Sequence, residues 1–131
     1  MEYYKGKLTK IQHDINNKFI TQAWLKMYEI LSIYQKKLFE KKFIKNGKFK
    51  SFHVCEAPGT FIMCTKHFIK TIYSKKIKNF DWMAQSLNPK IETTKIGDQF
   101  GLVRKNPKRW DFGEDNTGDI TNIANIDYYK K

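Results

Sequence analysis

The sequence predicts an α/β fold in which helices pack on a sheet of parallel strands. The periodic segments follow the order helix, strand, helix, strand between Phe19 and Pro89, an order typical of parallel strands joined by crossover helices. The chain has 131 residues, of which 40% are hydrophobic and 15% aromatic, enough for one small domain with its own core. A short turn, "EAPGT", also joins an apolar strand to an apolar helix, as ligand-binding turns of such folds do.

The first long element is predicted to be a helix. Residues 1–18 are polar and mixed, so we expect an N-terminal lead-in there and a domain at 19–131. From Phe19, apolar residues recur at helical spacing through "FITQAWLKMYEILSIYQKKLFEKKF", which contains neither Pro nor Gly. This pattern predicts an amphipathic helix that ends near Asn46-Gly47.

Two strands and a second helix follow. A strand is expected from Phe49 to Glu56, with its apolar centre at Phe52 and Val54, and a helix from Thr60 to Tyr73. The segment "NFDWMAQSLNP" predicts a second strand that ends at Asn88-Pro89. Beyond it, residues 90–116 are charged and loop-like, with a short apolar piece. "NTGDITNIANIDYYKK" then predicts a turn followed by a short strand or the start of a helix.

The net charge favours an anionic partner. The formal charge is +12 and the isoelectric point is near 9.7, which favours RNA or DNA over an acidic protein. Lys far outnumbers Arg, so a Lys-rich composition bias contributes to this charge.

Other features narrow the class of protein. Two cysteines give no disulfide framework, which is typical of a reducing compartment. The first residues lack the apolar core of a secretory signal, and no apolar run approaches the roughly 18 residues of a membrane span. We therefore expect an intracellular, cytoplasmic protein.

The turn between the first strand and the second helix has the features of a ligand cradle. Gly59 lets the backbone approach a ligand, Pro58 fixes the turn, and the helix from Thr60 aims free N–H groups at the same place. Glu56 stands at the carboxyl end of the strand, where ligands bind in open α/β sheets. Its carboxylate suits a cationic or hydroxyl-bearing ligand, and no Lys follows the glycine as a P-loop requires. An ordinary strand-to-helix turn with a solvated Glu fits the same residues equally well.

Three motifs in order resemble those of one enzyme family. "VCEAPGTF" is similar to motif I, C-x-x-P-G-G-F, of the FtsJ-like (RrmJ-type) S-adenosylmethionine-dependent ribose 2′-O-methyltransferases. "TQAWLKMYEIL" resembles the helix that precedes it in that family, and "TGDITNIANI" resembles the Gly-Asp-Ile-Thr segment of cap-type members. The resemblance covers Ile20 to Ile126 and is strongest to FtsJ-domain proteins of large cytoplasmic DNA viruses of the African swine fever type.

The resemblance implies a Rossmann-like methyltransferase fold, S-adenosylmethionine as cofactor, and methylation of RNA, above all at an mRNA cap. It implies the host cytoplasm as location if the protein is viral, with association with the virion as a further option. Lys26 corresponds to the first catalytic Lys, near the ribose 2′-hydroxyl. Asp119 would approach the adenine, with Ile120 packed nearby. The methionine side of the cofactor would be lined by Glu56, near the ammonium group, and by Ala57, Pro58, Gly59 and Phe61.

The sequence departs from the family pattern in three places. Thr60 replaces the second glycine of motif I, where it either crowds the backbone or caps the helix. "WMAQSLNP" offers no acidic residue for the adenosine ribose. The catalytic Asp, second Lys and Glu of the family do not follow the Gly-Asp-Ile-Thr segment. We therefore expect the chain to hold the N-terminal part of the methyltransferase domain. RNA is the expected partner, and another chain is one candidate source of the missing catalytic residues. Lys26 alone would stay protonated and would not act as a base.

Two other interpretations fit some of the residues. His53 with Cys55, and Cys64 with His67, each share one face of their element and would compose a zinc tetrahedron if they met. Buried thiols and a core histidine explain the same residues more simply.

The second alternative is a non-catalytic, basic RNA-binding remnant of the same fold. "KKLFEKKFIKNGKFK" and "YSKKIKNF" interleave Lys with aromatic residues, which suits backbone neutralisation and base stacking. A solvated Lys face that covers a hydrophobic helix fits these two stretches as well.

Overall fold

The computed structural model describes residues 20–131, so the predicted lead-in at 1–18 lies outside the described residues. The described chain forms two compact units. We call residues 20–49 and 60–80 the lysine-rich unit, and residues 50–59 and 81–131 the turn unit.

The secondary structure confirms the α/β prediction. The strands form one sheet in the order β1-β2-β3-β4, in which β1 is antiparallel to β2 and β4 is parallel to β3. The second helix, α2, joins β2 to its neighbour β3 along the chain. The helices are α1 (Gln22–Leu38), α2 (Thr60–Ile72), α3 (Leu102–Lys105) and α4 (Ile123–Tyr129), and the strands are β1 (Ile44–Lys45), β2 (Lys48–His53), β3 (Asn79–Gln85) and β4 (Trp110–Asp111).

Helix α1 ends at Leu38, so the predicted end near Asn46-Gly47 is wrong. The Phe39 ring is buried and lies 4.9 Å from the Phe49 ring and 4.5 Å from the Tyr73 ring, between centroids. The chain leaves the helix at the residue whose ring enters the core. Asn46 and Gly47 have φ values of 50° and 71° and form the turn between β1 and β2, which is the hairpin that an Asn-Gly pair favours.

Strand β2 ends at His53, three residues before the predicted end at Glu56. Cys55 has a φ of +56°, a left-handed conformation that ends an extended strand. Phe52 and Val54, the predicted apolar centre, are 54% and 57% exposed. The predicted apolar centre is therefore wrong, since both side chains are exposed and Val54 lies beyond the strand.

The core of the lysine-rich unit lies between α1 and α2. Trp24 stacks on Tyr28 with centroids 5.3 Å apart, and Phe68 meets the edge of the same Tyr28 ring. Thr21 caps α1 by accepting a hydrogen bond from the Trp24 N–H at 3.2 Å. The predicted helix from Thr60 is confirmed, since α2 begins at that residue.

Strand β3 is confirmed inside its predicted segment, but it ends at Gln85 and not at Asn88-Pro89. The sequence did not reveal β4 in the region expected to be a loop. Ala84 pairs with Trp110, and the Arg109 guanidinium donates to the Asp81 carboxylate at 2.6 Å and to the Trp82 carbonyl at 2.7 Å. These contacts hold the two-residue strand against β3. None of the described helices is long and apolar enough to cross a membrane.

Candidate functional site

The predicted turn after β2 is a tight, closed turn. The Gly59 N–H donates to the Glu56 carbonyl at 2.8 Å, and the peptide bond between Ala57 and Pro58 is cis. Glu56 and Gly59 are buried, whereas Ala57 and Pro58 are half-buried. The turn thus encloses a carboxylate and a glycine.

Gly59 cannot be replaced without strain. Its φ is +108°, a conformation that residues with a Cβ rarely adopt. A Cβ at this position would also lie 2.5 Å from Leu102 Cδ2. The glycine therefore admits the first residue of α3 against the turn, whatever else it does for a ligand.

The end of β3 holds the turn in place through three hydrogen bonds. The Glu56 N–H donates to the backbone carbonyl of Gln85 at 3.1 Å, and the Cys55 N–H donates to its side-chain Oε1 at 3.1 Å. The Ala57 N–H donates to Ser86 Oγ at 3.1 Å. Gln85 and Ser86 are each 2% exposed, and the hydrogen bonds to the turn satisfy their buried polar groups.

The same Gln85 side chain reaches the second predicted cofactor segment. Its Nε2 donates to the Gly118 carbonyl at 2.7 Å. Gly118 has a φ of +73°, and a Cβ there would overlap the Ser86 carbonyl oxygen. One buried amide therefore connects motif I to the Gly-Asp-Ile-Thr segment. Sequence reasoning missed Gln85, although a glutamine directly after "WMA" at the end of an apolar strand was the available signal.

Glu56 places a buried carboxylate beside a half-buried histidine. The Glu56 side chain is 2% exposed, and its Oε2 lies 3.7 Å from His53 Nδ1. Burial lowers the pKa of His53 to about 4, so the ring is neutral at pH 7. An ion pair would favour the charged ring, but 3.7 Å is too long for a good hydrogen bond and desolvation prevails. The His53 Nε2 lies 2.8 Å from Ser51 Oγ.

Asp119 organises its own loop. Its Oδ1 accepts hydrogen bonds from the Thr121 hydroxyl at 2.7 Å and the Thr121 N–H at 2.8 Å. These bonds hold the pKa of Asp119 below its usual value. The neighbouring Ile120 is 39% exposed.

Asn125 ties this loop to the preceding one and was also missed by sequence reasoning. It is fully buried, and its Nδ2 donates to Asp115 Oδ1 and to the Asp119 carbonyl, both at 2.9 Å. A Cβ on Gly113 would lie 2.5 Å from Asn125 Oδ1, so this glycine makes room for the amide. The buried polar hub lies on a helix whose sequence, "IANIDYY", gave no sign of it.

Two predicted site residues lie in the lysine-rich unit. Lys26 is exposed on α1, and Phe61 is the second residue of α2 and 38% exposed. The structure brings together the motif I turn and the segment of Asp119, both inside the turn unit. The role of Lys26 stays a prediction.

The residues of the alternative zinc site serve other purposes where they are described. Cys64 is fully buried, donates from Sγ to the Trp24 carbonyl at 3.4 Å, and has a pKa raised to about 12 by burial. His67 packs its ring on Trp24 at 5.4 Å. Both cysteines are free thiols, and no group of three or more metal-ligating side chains occurs within residues 20–131.

Comparisons with known proteins find similar viral and cellular chains, some of them named as methyltransferases. The cap-specific mRNA (nucleoside-2′-O-)-methyltransferase 2 of Danio rerio is 43% identical over 109 residues, covering 80% of this chain and 14% of that protein. The probable methyltransferase EP424R of African swine fever virus (isolate Pig/Kenya/KEN-50/1950) is 32% identical over 137 residues, covering 96% of this chain and 29% of that protein. Protein L511 of Acanthamoeba polyphaga mimivirus is 37% identical over 98% of this chain, which is 16% of its own length.

The chain therefore spans less than a third of the length of these relatives. No family model and no solved structure matches it.

Proposed function

We propose that this chain, which belongs to the FtsJ-like family of viral and cap-specific methyltransferases, binds S-adenosylmethionine through its turn unit and takes part in 2′-O-methylation of RNA. One observation carries the proposal. The buried Gln85 amide accepts from Cys55 in motif I and donates to Gly118 in the Gly-Asp-Ile-Thr segment. Two segments far apart in sequence, both expected to contact the cofactor, are thereby joined in one unit.

The chemistry of the turn unit fits this cofactor. The negative charge of a carboxylate at Glu56 suits a cation such as the cofactor's ammonium group. Within the described residues, both hydrogen bonds to the Asp119 carboxylate fall on Oδ1, so Oδ2 can accept from an adenine amino group. Ile120 offers an exposed apolar side chain for the adenine face.

The chain's own residues would bind and orient the reactants. When bound, the cofactor supplies a methyl group on a sulfonium, ready for in-line transfer to a hydroxyl oxygen. Glu56 would hold the methionine end, and Asp119 with Ile120 the adenine end. Lys26, within "AWLKM", would orient the ribose 2′-hydroxyl by a hydrogen bond from its ammonium group. This role rests on the motif that carries Lys26.

RNA is the proposed substrate and the cytoplasm the proposed location. The Danio rerio relative is named for mRNA caps, and the charge of +12 suits a polyanion. The free thiols of Cys55 and Cys64 accord with a reducing compartment.

Calorimetric titration of the 131-residue chain with S-adenosylmethionine tests the cofactor proposal. We expect saturable binding and an upward shift in melting temperature, because a ligand of the native state stabilises it. Glu56→Gln removes the negative charge and keeps the shape, so its affinity should fall tenfold or more. Glu92→Gln removes the same charge from an exposed side chain of the same unit and should bind as the wild type does.

The variants also separate binding from catalysis. Lys26→Ala should keep the cofactor affinity of the wild type. Equal affinities of Glu56→Gln, Glu92→Gln and the wild type would contradict the assignment of motif I. A cooperative melt without any shift would instead favour the second candidate function, RNA binding without catalysis. That function is favoured by one observation: residues 20–49 and 60–80 of the lysine-rich unit contain twelve lysines, whereas the turn unit contains seven.

A further inference from the structure

The net positive charge of the described residues falls in one unit. The described part of the lysine-rich unit contains twelve lysines and two glutamates, a net charge of +10. The turn unit contains nine Lys and Arg residues and nine Asp and Glu residues, a net charge of zero. A composition bias alone would raise the charge of both units, so the difference indicates a function for the lysine-rich one.

Backbone hydrogen bonds bring two of its lysine stretches together. The turn of the β1–β2 hairpin presents its Gly47 carbonyl, which accepts from the Lys78 N–H at 2.8 Å and the Asn79 N–H at 3.1 Å. The loop between α2 and β3 therefore lies against the hairpin. Within this loop, the Lys76 and Ile77 N–H groups donate to the Tyr73 carbonyl at 2.9 and 2.8 Å, so the loop begins as a hydrogen-bonded turn. The two stretches, separate in sequence, form one surface.

We call this surface the lysine surface and define it by five residues. Lys45 and Lys48 face each other directly across the hairpin, and the loop adds three further lysines. Lys45 and the loop lysines are exposed. No Asp or Glu lies between Glu40 and Glu56 or between Glu56 and Asp81 in the sequence. The members are Lys45, Lys48, Lys75, Lys76 and Lys78.

We propose that the lysine surface binds the phosphate backbone of single-stranded RNA, and this rests on the proposed function insofar as RNA is the substrate. Closely placed ammonium groups neutralise successive phosphates and release their counterions. Phe43, two residues before Lys45, is 51% exposed, and Lys42 Nζ lies 4.9 Å from the centre of its ring. An exposed ring beside lysines is the arrangement on which unpaired bases stack. The surface would therefore hold the body of the RNA and would need neither cofactor nor cap.

A pair of variants with equal charge isolates the surface. The triple variant Lys45→Gln, Lys75→Gln and Lys76→Gln removes three exposed lysines from it. The control variant Lys90→Gln, Lys105→Gln and Lys108→Gln removes three exposed lysines from the turn unit. Both lose three charges, so a long-range effect of net charge is the same in each. Binding of a labelled, uncapped 20-nucleotide RNA is followed by fluorescence anisotropy at several KCl concentrations.

The lysine surface variant should bind the RNA at least tenfold more weakly than the wild type in 0.1 M KCl. The slope of log affinity against log salt should also fall by about 2, since each lost phosphate contact on a single strand removes about 0.7. The control variant should keep the slope of the wild type. Equal losses in the two triple variants, or no loss in either, would overturn the proposal.

Other ligands and the cofactor assay complete the test. Polyglutamate or anionic vesicles that bind through the same lysines as tightly as RNA would overturn the assignment to RNA. Cofactor binding by the lysine surface variant should equal that of the wild type. A wild type that binds RNA through this surface but not S-adenosylmethionine would refute the proposed cofactor site and leave the lysine surface standing. A wild type that binds S-adenosylmethionine but does not bind RNA through this surface would refute the lysine surface and leave the cofactor site standing.

Discussion

The side-chain amide of Gln85 donates to the Gly118 carbonyl at 2.7 Å, while its Oε1 accepts from the Cys55 N–H at 3.1 Å. Gln85 is 2% exposed and ends β3. A buried amide with both ends hydrogen-bonded fixes the two backbone segments that it joins, because neither group has water as an alternative partner. The shape of the candidate cofactor site thus depends on a residue that carries no charge and has no counterpart among the predicted site residues.

Gln85→Leu should weaken both the fold and cofactor binding. The substitution keeps most of the volume but leaves the Cys55 N–H and the Gly118 carbonyl without this partner, which costs about 2–4 kcal/mol of unfolding free energy. Urea denaturation measures this loss. Gln99→Leu, at an exposed position of the same unit, is the control and should change the unfolding free energy little. A Gln85→Leu variant as stable as the control would show that the amide does not hold the two segments.

Gly59→Ala should destabilise the protein through backbone strain and through its contact with Leu102. A φ of +108° is unfavourable for alanine, which costs about 1–3 kcal/mol, and the new Cβ would lie 2.5 Å from Leu102 Cδ2. Adding Leu102→Ala removes the overlap with Cδ2 but keeps the Cβ of residue 102 at 3.3 Å and the backbone strain, so it should restore only part of the melting temperature. Gly97→Ala, whose Cβ would have no neighbour closer than 3.6 Å, is the control. Full recovery in the double variant would mean that the backbone is not strained.

The sequence predicted the α/β class, α2 and β3 because each rests on local information. Helical spacing and the position of Thr60 suffice to begin α2, and "NFDWMAQ" has the residues of a strand. The end of α1 could not be predicted in the same way. It depends on the burial of Phe39 against Phe49 and Tyr73, which are distant in sequence.

The sequence predicted the motif residues of the candidate site but not the amides that connect its segments. Glu56 and Gly59 belong to a recognisable motif, whereas Gln85 and Asn125 are ordinary amides in apolar segments. An amide becomes a structural hub through partners that the fold supplies, and these partners lie up to 33 residues away. For Gln85 the local sequence offers only its position at the end of an apolar strand, and for Asn125 it offers no signal.

Stability should fall at acidic pH because of His53. Burial lowers its pKa from 6.5 to about 4, so the folded protein binds fewer protons at this ring than the unfolded chain. A group of this kind contributes stability that is fully present above pH 6.5 and is lost as the pH falls through 4. Because the ring is partly solvated, we expect a loss of about 1–3 kcal/mol across this window.

His53→Gln provides the comparison, since glutamine does not titrate. The unfolding free energy of the wild type minus that of the variant, measured by urea denaturation between pH 7.5 and 4.5, should fall by about 1–3 kcal/mol as the pH falls. Titrating groups far from His53 are shared and cancel in the difference, whereas Glu56, which lies 3.7 Å from the ring, is coupled to it. Parallel pH profiles would show that His53 is protonated equally in the folded and unfolded chains.

Asn125→Asp should destabilise the turn unit in a pH-dependent way. At pH 7 the new carboxylate cannot donate to Asp115 Oδ1 or to the Asp119 carbonyl, each 2.9 Å from Asn125 Nδ2. It also places a second negative charge beside Asp115, whose pKa is lowered to about 2, chiefly by hydrogen bonds from Thr117. Like charge and burial raise the pKa of the introduced group above its unfolded value near 3.9. The penalty is therefore present above that raised pKa and shrinks as the pH falls toward 4.

Two variants separate the charge of this aspartate from the lost hydrogen bonds. Asn125→Ala removes the buried bonds without adding charge, so its deficit of about 2–4 kcal/mol should not change between pH 7 and pH 4.5. Gln99→Glu adds the same charge at an exposed position of the turn unit and should be neutral at both pH values. Relative to Asn125→Ala, Asn125→Asp should be less stable at pH 7 and gain at pH 4.5, because its protonated form donates one hydrogen bond again. A deficit of Asn125→Asp that is equal at the two pH values would show that the carboxylate escapes to solvent and that the loop around Asp115 opens to release it.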